Sequence, residues 1–131
     1  MKWALLSLAA LILLALPATH LRFIQRGAAK KKREAGFQFL AESYSRGLKP
    51  GLPRKTVEDY LKSKGTAFET MWDNRTLTDL VKIGEEDHPW YCSENSVFIR
   101  FQFAQAEWGE AALPSGVLTR VDRYDQMRGC L

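Results

Sequence analysis

The sequence predicts an α+β protein: a transmembrane helix first, then one or two short helices packed on a four-stranded antiparallel sheet. Three observations carry this. An almost unbroken apolar run opens the chain, Trp3 to Ala18, with Ser7 its one polar residue. Apolar residues then recur with helical spacing before Gly65 and with alternating spacing after it. The links between the alternating stretches are short, which suits antiparallel neighbours and leaves no room for parallel crossovers.

Trp3–Ala18 as a helix is about 24 Å long, short of a hydrocarbon core of about 30 Å. Extension through Leu21, Phe23 and Ile24 makes it long enough to span. Arg22 can lay its stem along such a helix and hold its guanidinium among headgroups, and Trp3 suits the opposite interface. Residues 1–24 are therefore expected to be an uncleaved signal anchor. A cleaved signal peptide is the alternative. Its best cut follows Ala18, but Leu16 then stands where a small residue is wanted. Residues 25–36 read as a basic juxtamembrane linker or solvated helix, and 37–131 as the small α+β domain.

Within that domain Phe37, Phe39, Leu40 and Tyr44 form a short helical stripe that ends at Gly47. Lys49-Pro50-Gly51-Leu52-Pro53 is dense in helix breakers. Thr56–Lys64 is a helix with Val57, Tyr60, Leu61 and Lys64 on one face. Glu58 and Lys62 form an i,i+4 pair, and Gly65 takes the C′ position. Thr66–Trp72 and Leu77–Ile83 are strands separated by the turn residues Asp73-Asn74-Arg75, and Gly84 is expected to end the second. Glu85–Pro89 is an acidic loop. Asn95–Phe103 alternates most cleanly, with Val97, Ile99, Phe101 and Phe103 on one face. Ala104–Gly116 reads as a surface loop. Val117–Asp125 is a fourth strand whose charges suit an edge. Trp72 and Trp90 are expected to fill the core between helix and sheet. Trp108, in the polar loop, is the expected partner contact.

Charge is divided unevenly. Through Gly36 the chain carries Lys2, Arg22, Arg26, Lys30, Lys31, Lys32 and Arg33 against Glu34 alone, whereas the remainder is slightly acidic. The net charge of +4 thus belongs to the N-terminal segment. A nucleic-acid-binding globule needs its positive charge on the folded body, so no nucleic-acid partner is expected. Arg22, Arg26 and the Lys30–Arg33 run instead suit anionic headgroups beside the lipid bilayer, at about 1 kcal/mol per basic residue near the surface. By the positive-inside tendency this flank places the domain in the cytoplasm.

The two cysteines point the other way. Cys92 precedes the third strand and Cys130 follows the fourth. If those strands are neighbours, the thiols lie near one sheet margin and can pair, which implies an oxidising compartment. Two unrelated free thiols are the alternative.

No catalytic set is apparent. His88 is the one histidine outside the membrane flank. With Glu85, Glu86, Asp87 and Cys92 nearby it matches no metal spacing, so neither metal nor cofactor is expected. A Cys92–His88 nucleophile pair competes with Cys92–Cys130 pairing. Asn74-Arg75-Thr76 fits a glycosylation acceptor. No glycine-rich phosphate loop follows a strand.

The helix entry Gly51-Leu52-Pro53-Arg54-Lys55-Thr56-Val57-Glu58-Asp59-Tyr60-Leu61-Lys62-Ser63-Lys64-Gly65 resembles that of small bacterial envelope proteins, with Leu52 where methionine is usual. Leu80-Val81-Lys82-Ile83-Gly84, Pro89-Trp90-Tyr91-Cys92-Ser93 and Gly129-Cys130-Leu131 resemble a group of uncharacterised, membrane-anchored bacterial proteins. The resemblance spans about residues 48–131 in outline. In that group the Trp-Tyr-Cys and Gly-Cys-Leu pieces recur together, which implies that Cys92 and Cys130 pair. More loosely, helices followed by a sheet resemble the small lipoprotein of the outer-membrane β-barrel assembly machinery and β-lactamase-inhibitor repeats. Both are binding modules, but this chain lacks a lipid-carrying cysteine after its apolar run and has one such unit. The expected protein is a single-pass inner-membrane protein with an extracytoplasmic domain that binds a protein or envelope component. A tethered cytoplasmic regulatory module and a His88-dependent enzyme are the alternatives.

Overall fold

The computed structural model describes residues 2–73, 76–104 and 116–131, with the side chains of 2–21 and 73 left out. Among the described residues two helices and four strands follow one another: α1 (Lys2–Gly47), α2 (Arg54–Ser63), β1 (Glu69–Asp73), β2 (Thr76–Glu85), β3 (Glu94–Ala104) and β4 (Val117–Arg128). The protein is α+β, and the strands form one antiparallel sheet in the order β1-β2-β3-β4. The chain divides into two compact units, Met1–Gly36 and Phe37–Leu131.

The described residues of the first unit lie on α1. The helix is continuous where a basic linker was one expectation, and at 46 residues it replaces the first of the short helices expected. Arg22, Arg26 and Lys30–Arg33 are all exposed on it, and Lys30 meets Glu34 at 3.9 Å. The apolar run Trp3–Ala18 lies outside the residues whose side chains are described. Among the described residues no helix is long and apolar enough to cross a membrane.

In the second unit, both helical segments pack on one face of the sheet. Phe37, Ala41 and Leu48 are buried and Tyr44 is half-buried; they share a stripe because helical residues advance about 100° each. Phe39 and Leu40 fall off that stripe and are exposed, unlike the stripe expected from their apolar character. Val57 and Leu61 of α2 are fully buried against the same core, which Leu77, Val81, Ile99, Phe101, Phe103 and Leu118 supply from the sheet. Tyr44 sits edge-on to Phe101 with ring centroids 5.6 Å apart. Gly65 has φ +66, the left-handed C′ conformation that ends α2. The Glu58–Lys62 pair forms at 3.5 Å, and the Lys64 ammonium lies over the Tyr60 ring.

Two expected boundaries move for identifiable reasons. β2 runs through Gly84 because a bulge between Lys82 and Gly84 keeps it paired with β3. Glycine is needed there because a Cβ would stand 2.8 Å from the Phe37 ring. The breaker-rich stretch before α2 hydrogen-bonds to the start of β4. Gly51 N–H donates to Leu118 O, Leu118 N–H to Leu52 O, and Arg54 N–H to Gly116 O. Pro53 thereby bridges Val117, covers that part of the edge strand and fixes where α2 begins.

Candidate functional site

Three features of the second unit position polar or exposed chemistry: a buried ion pair, a disulfide-bonded corner and the sheet face opposite the helix-packed core.

The ion pair fastens α2 to the sheet. Arg54, in the first turn of α2, reaches Asp79 on β2 with two parallel hydrogen bonds, Nε to Oδ2 at 3.0 Å and Nη2 to Oδ1 at 2.8 Å. Both residues are buried, Asp79 completely. The Thr70 hydroxyl donates to Asp79 Oδ1 at 2.8 Å, the Glu58 carboxylate meets Arg54 at 3.0 Å, and the Phe103 ring lies under the guanidinium. A bidentate pair supported by a further hydroxyl and a second carboxylate meets the conditions under which a buried charge pair is tolerated. The sequence gives little warning of it. Asp79 sits inside the run Leu77–Val81, every member of which is buried.

The corner joins the turn before β3 to the residues after β4. Cys92 and Cys130 are disulfide-bonded, S–S 2.05 Å, across 38 residues of sequence. The bond follows from the topology, because β3 and β4 are neighbours and Glu94 stands opposite Arg128. Ser93 N–H donates to Arg128 O and Leu131 N–H to Tyr91 O. Trp90 is 89% exposed and meets Tyr91 edge-on at 5.8 Å; Leu131 is exposed as well. This corrects the expectation that Trp90 is core. Trp72 is 43% exposed and does not fill the core either. That interior is filled by the alternating apolar residues of β2 and β3 with Val57 and Leu61, and the turn carrying Trp90 lies beyond the strand ends. Trp108 lies outside the described residues, as do Asn74 and Arg75.

His88 is exposed, and its Nδ1 lies 3.1 Å from Pro89 O. Cys92 is bonded to Cys130, so it offers His88 no thiol. Among the described residues no three His, Cys, Asp or Glu side chains come together as a metal site.

The face opposite the helices is built from cross-strand rows. Met71, Thr78, Gln102 and Arg120 form one; Glu69, Leu80, Arg100 and Asp122 form the next; Lys82, Phe98 and Tyr124 form a third. Among the described residues no helix of the second unit packs on these rows, yet Leu80 and Phe98 in them and the neighbouring Ser96 are buried. Curvature accounts for this. Arg128 of β4 comes within 4.0 Å of Glu69 of β1 although two strands separate them. The sheet therefore curls toward this side, as twist and two bulged registers favour.

Inside the curl is a cleft of about 200 Å³, with Met71, Leu80 and Tyr124 on its apolar side and Thr76, Thr78 and Gln102 on its polar side. Arg100 also lines it, bound bidentately to Asp122 at 2.9 and 2.7 Å with its guanidinium 4.8 Å from the Tyr124 ring centroid. The hydrogen bonds to Asp122 raise the Arg100 pKa further above its ordinary range. Arg120 reaches the same carboxylate at 3.0 Å. At the other end of the face Lys82 bonds Glu85 and Glu94, each at 2.8 Å. These contacts, Glu85 first, raise the Lys82 pKa. Lys82 foremost, and then the Ser96 hydroxyl, lower that of Glu94.

Alternation marks Arg100 and Gln102 as lying opposite the core face of β3. Their convergence with Met71, Thr78 and Tyr124 depends on register across four strands, which no local pattern encodes. No protein-family model, curated protein or solved structure matches this chain.

Proposed function

We propose that this protein is a single-pass inner-membrane protein whose α+β domain lies outside the cytoplasm and acts by binding, with the curled sheet face as its recognition surface. The observation that carries the reading is the Cys92–Cys130 bond. Thiols of this kind persist as disulfides in oxidising compartments and are kept reduced in the cytosol. The apolar run Trp3–Ala18 supplies the anchor, and the exposed Arg22, Arg26 and Lys30–Arg33 supply contacts to anionic headgroups. The cleft offers hydroxyls, an amide, a guanidinium and an aromatic ring without a nucleophile–base pair, which suits recognition. Membership in the group of anchored bacterial proteins that share the Trp-Tyr-Cys and Gly-Cys-Leu pieces belongs to the same proposal.

A second reading places the domain in the cytoplasm as a regulatory module. The basic flank after the apolar run favours it. Labelling intact cells with a membrane-impermeant maleimide separates the two. The proposal predicts no labelling of Cys92 and Cys130 before treatment with an impermeant reductant and labelling of both after it. Thiols that react only after the cells are permeabilised would establish the cytoplasmic reading.

A further inference from the structure

We infer that the cleft on the curled sheet face takes one sugar unit of an uncharged glycan chain. The inference rests on the proposed extracytoplasmic binding role and names its ligand class. Charge is the first argument. Arg100 is paired bidentately with Asp122, Arg120 shares that carboxylate, and Arg128 meets Glu69 at the margin. Asp122 already compensates the charge of Arg100 and stands beside its remaining donors, so an incoming anion would meet that carboxylate, and phosphate and carboxylate ligands are disfavoured.

The lining is the second argument. Met71, Leu80 and the Tyr124 ring offer apolar surface, while the Thr76 and Thr78 hydroxyls and the Gln102 amide both donate and accept hydrogen bonds. A pyranose presents the complement, C–H groups on its ring faces and hydroxyls around its edge. A wholly apolar ligand would leave the Thr and Gln groups without partners, at a cost of about 1–3 kcal/mol for each one buried.

Size and access are the third. About 200 Å³ is below the usual range for a complete small-molecule site of roughly 300–1,000 Å³. One unit of a longer chain suits such a cleft better than an enclosed metabolite. An extended peptide binds a sheet through main-chain hydrogen bonds at an edge, whereas this site lies on a face. The planar Arg100–Asp122 pair, fixed against Tyr124, is preorganised to meet adjacent hydroxyls from one side.

The full chain in detergent micelles, titrated separately with cellotetraose, chitotetraose and maltotetraose and followed by ligand-observed NMR, tests this. Saturable binding of at least one of them is expected, insensitive to salt between 50 and 500 mM. It is expected to weaken about tenfold or more in Gln102→Ala and in Tyr124→Ala. Thr78→Val, which keeps side-chain shape, should weaken it in the same direction while leaving the thermal midpoint close to that of the parent. Failure of all three oligosaccharides to bind the folded protein overturns the inference. So does binding that collapses with salt, binding indifferent to all three variants, or full displacement of the sugar signal by an added extended peptide. None of these results alters the maleimide pattern, so failure here is distinct from failure of the proposed placement.

Discussion

The two faces of the sheet bury apolar residues by different means. On the helix side, Val57 and Leu61 close a core over Leu77, Ile99, Phe101 and Phe103. On the other side no helix of the second unit packs among the described residues, and the sheet curls toward the buried Leu80 and Phe98. The first face is spent on stability, whereas the second combines buried apolar residues with reachable polar ones, as a binding surface requires. A face that stabilises should fail on truncation; one that recognises should tolerate change in fold and lose its ligand.

The largest effect is expected on opening the disulfide-bonded corner. A closed loop of this span implies about 4 kcal/mol lost in Cys92→Ser with Cys130→Ser under the chain-entropy model. Equilibrium unfolding of the double variant against the oxidised parent measures it. The fastening between α2 and β2 comes next. Asp79→Ala leaves the buried Arg54 guanidinium with the Glu58 carboxylate but without its bidentate partner and should cost about 3 kcal/mol, read as a fall in the urea midpoint. Arg54→Met combined with Asp79→Leu should recover most of that loss, since it removes both charges and fills the space. A double variant no more stable than Asp79→Ala would show that the pair does more than hold the helix down.

The curled face should respond far less. Arg100→Met removes a partly exposed pair with Asp122 and is expected to change stability by about 1 kcal/mol or less. A loss of several kcal/mol there would make this face a second core. Trp90→Ala, at the exposed corner, should stay within about 0.5 kcal/mol by thermal unfolding.

The smallest expected effect is the pH response of the Lys82–Glu94 contact. The Glu94 pKa is lowered in the folded protein, so its contribution is fully present above the ordinary glutamate range and fades as pH falls through the lowered value. Comparing parent and Glu94→Gln in denaturation series from pH 7 to pH 3 should show their difference shrinking toward the acid end.

The same comparison explains what the sequence could disclose. The core face was legible because Val97, Ile99, Phe101 and Phe103 fall on one side of β3, with Phe98 the large apolar residue on the other, and α2 because its spacing, ion pair and Gly65 agree. β2 spoke less clearly, since Leu77–Val81 is buried throughout and carries Asp79, whose tolerance depends on Arg54 from another element. The Cys92–Cys130 pairing was open until β3 and β4 proved adjacent. Trp72 and Trp90 lie outside the core because size and apolarity do not by themselves bring burial, and the interior is filled by Val57, Leu61 and the alternating strand residues. The cleft was least legible: Met71, Gln102 and Tyr124 converge through register and curl, which depend on contacts far apart in the chain.

The account depends most on the Cys92–Cys130 bond existing in the living cell. Intact cells quenched in acid, unfolded in the presence of an alkylating reagent and read by mass spectrometry of the intact protein measure it directly. The account predicts a protein that takes up no alkyl group until it has been reduced. Alkylation of both cysteines without prior reduction would contradict it.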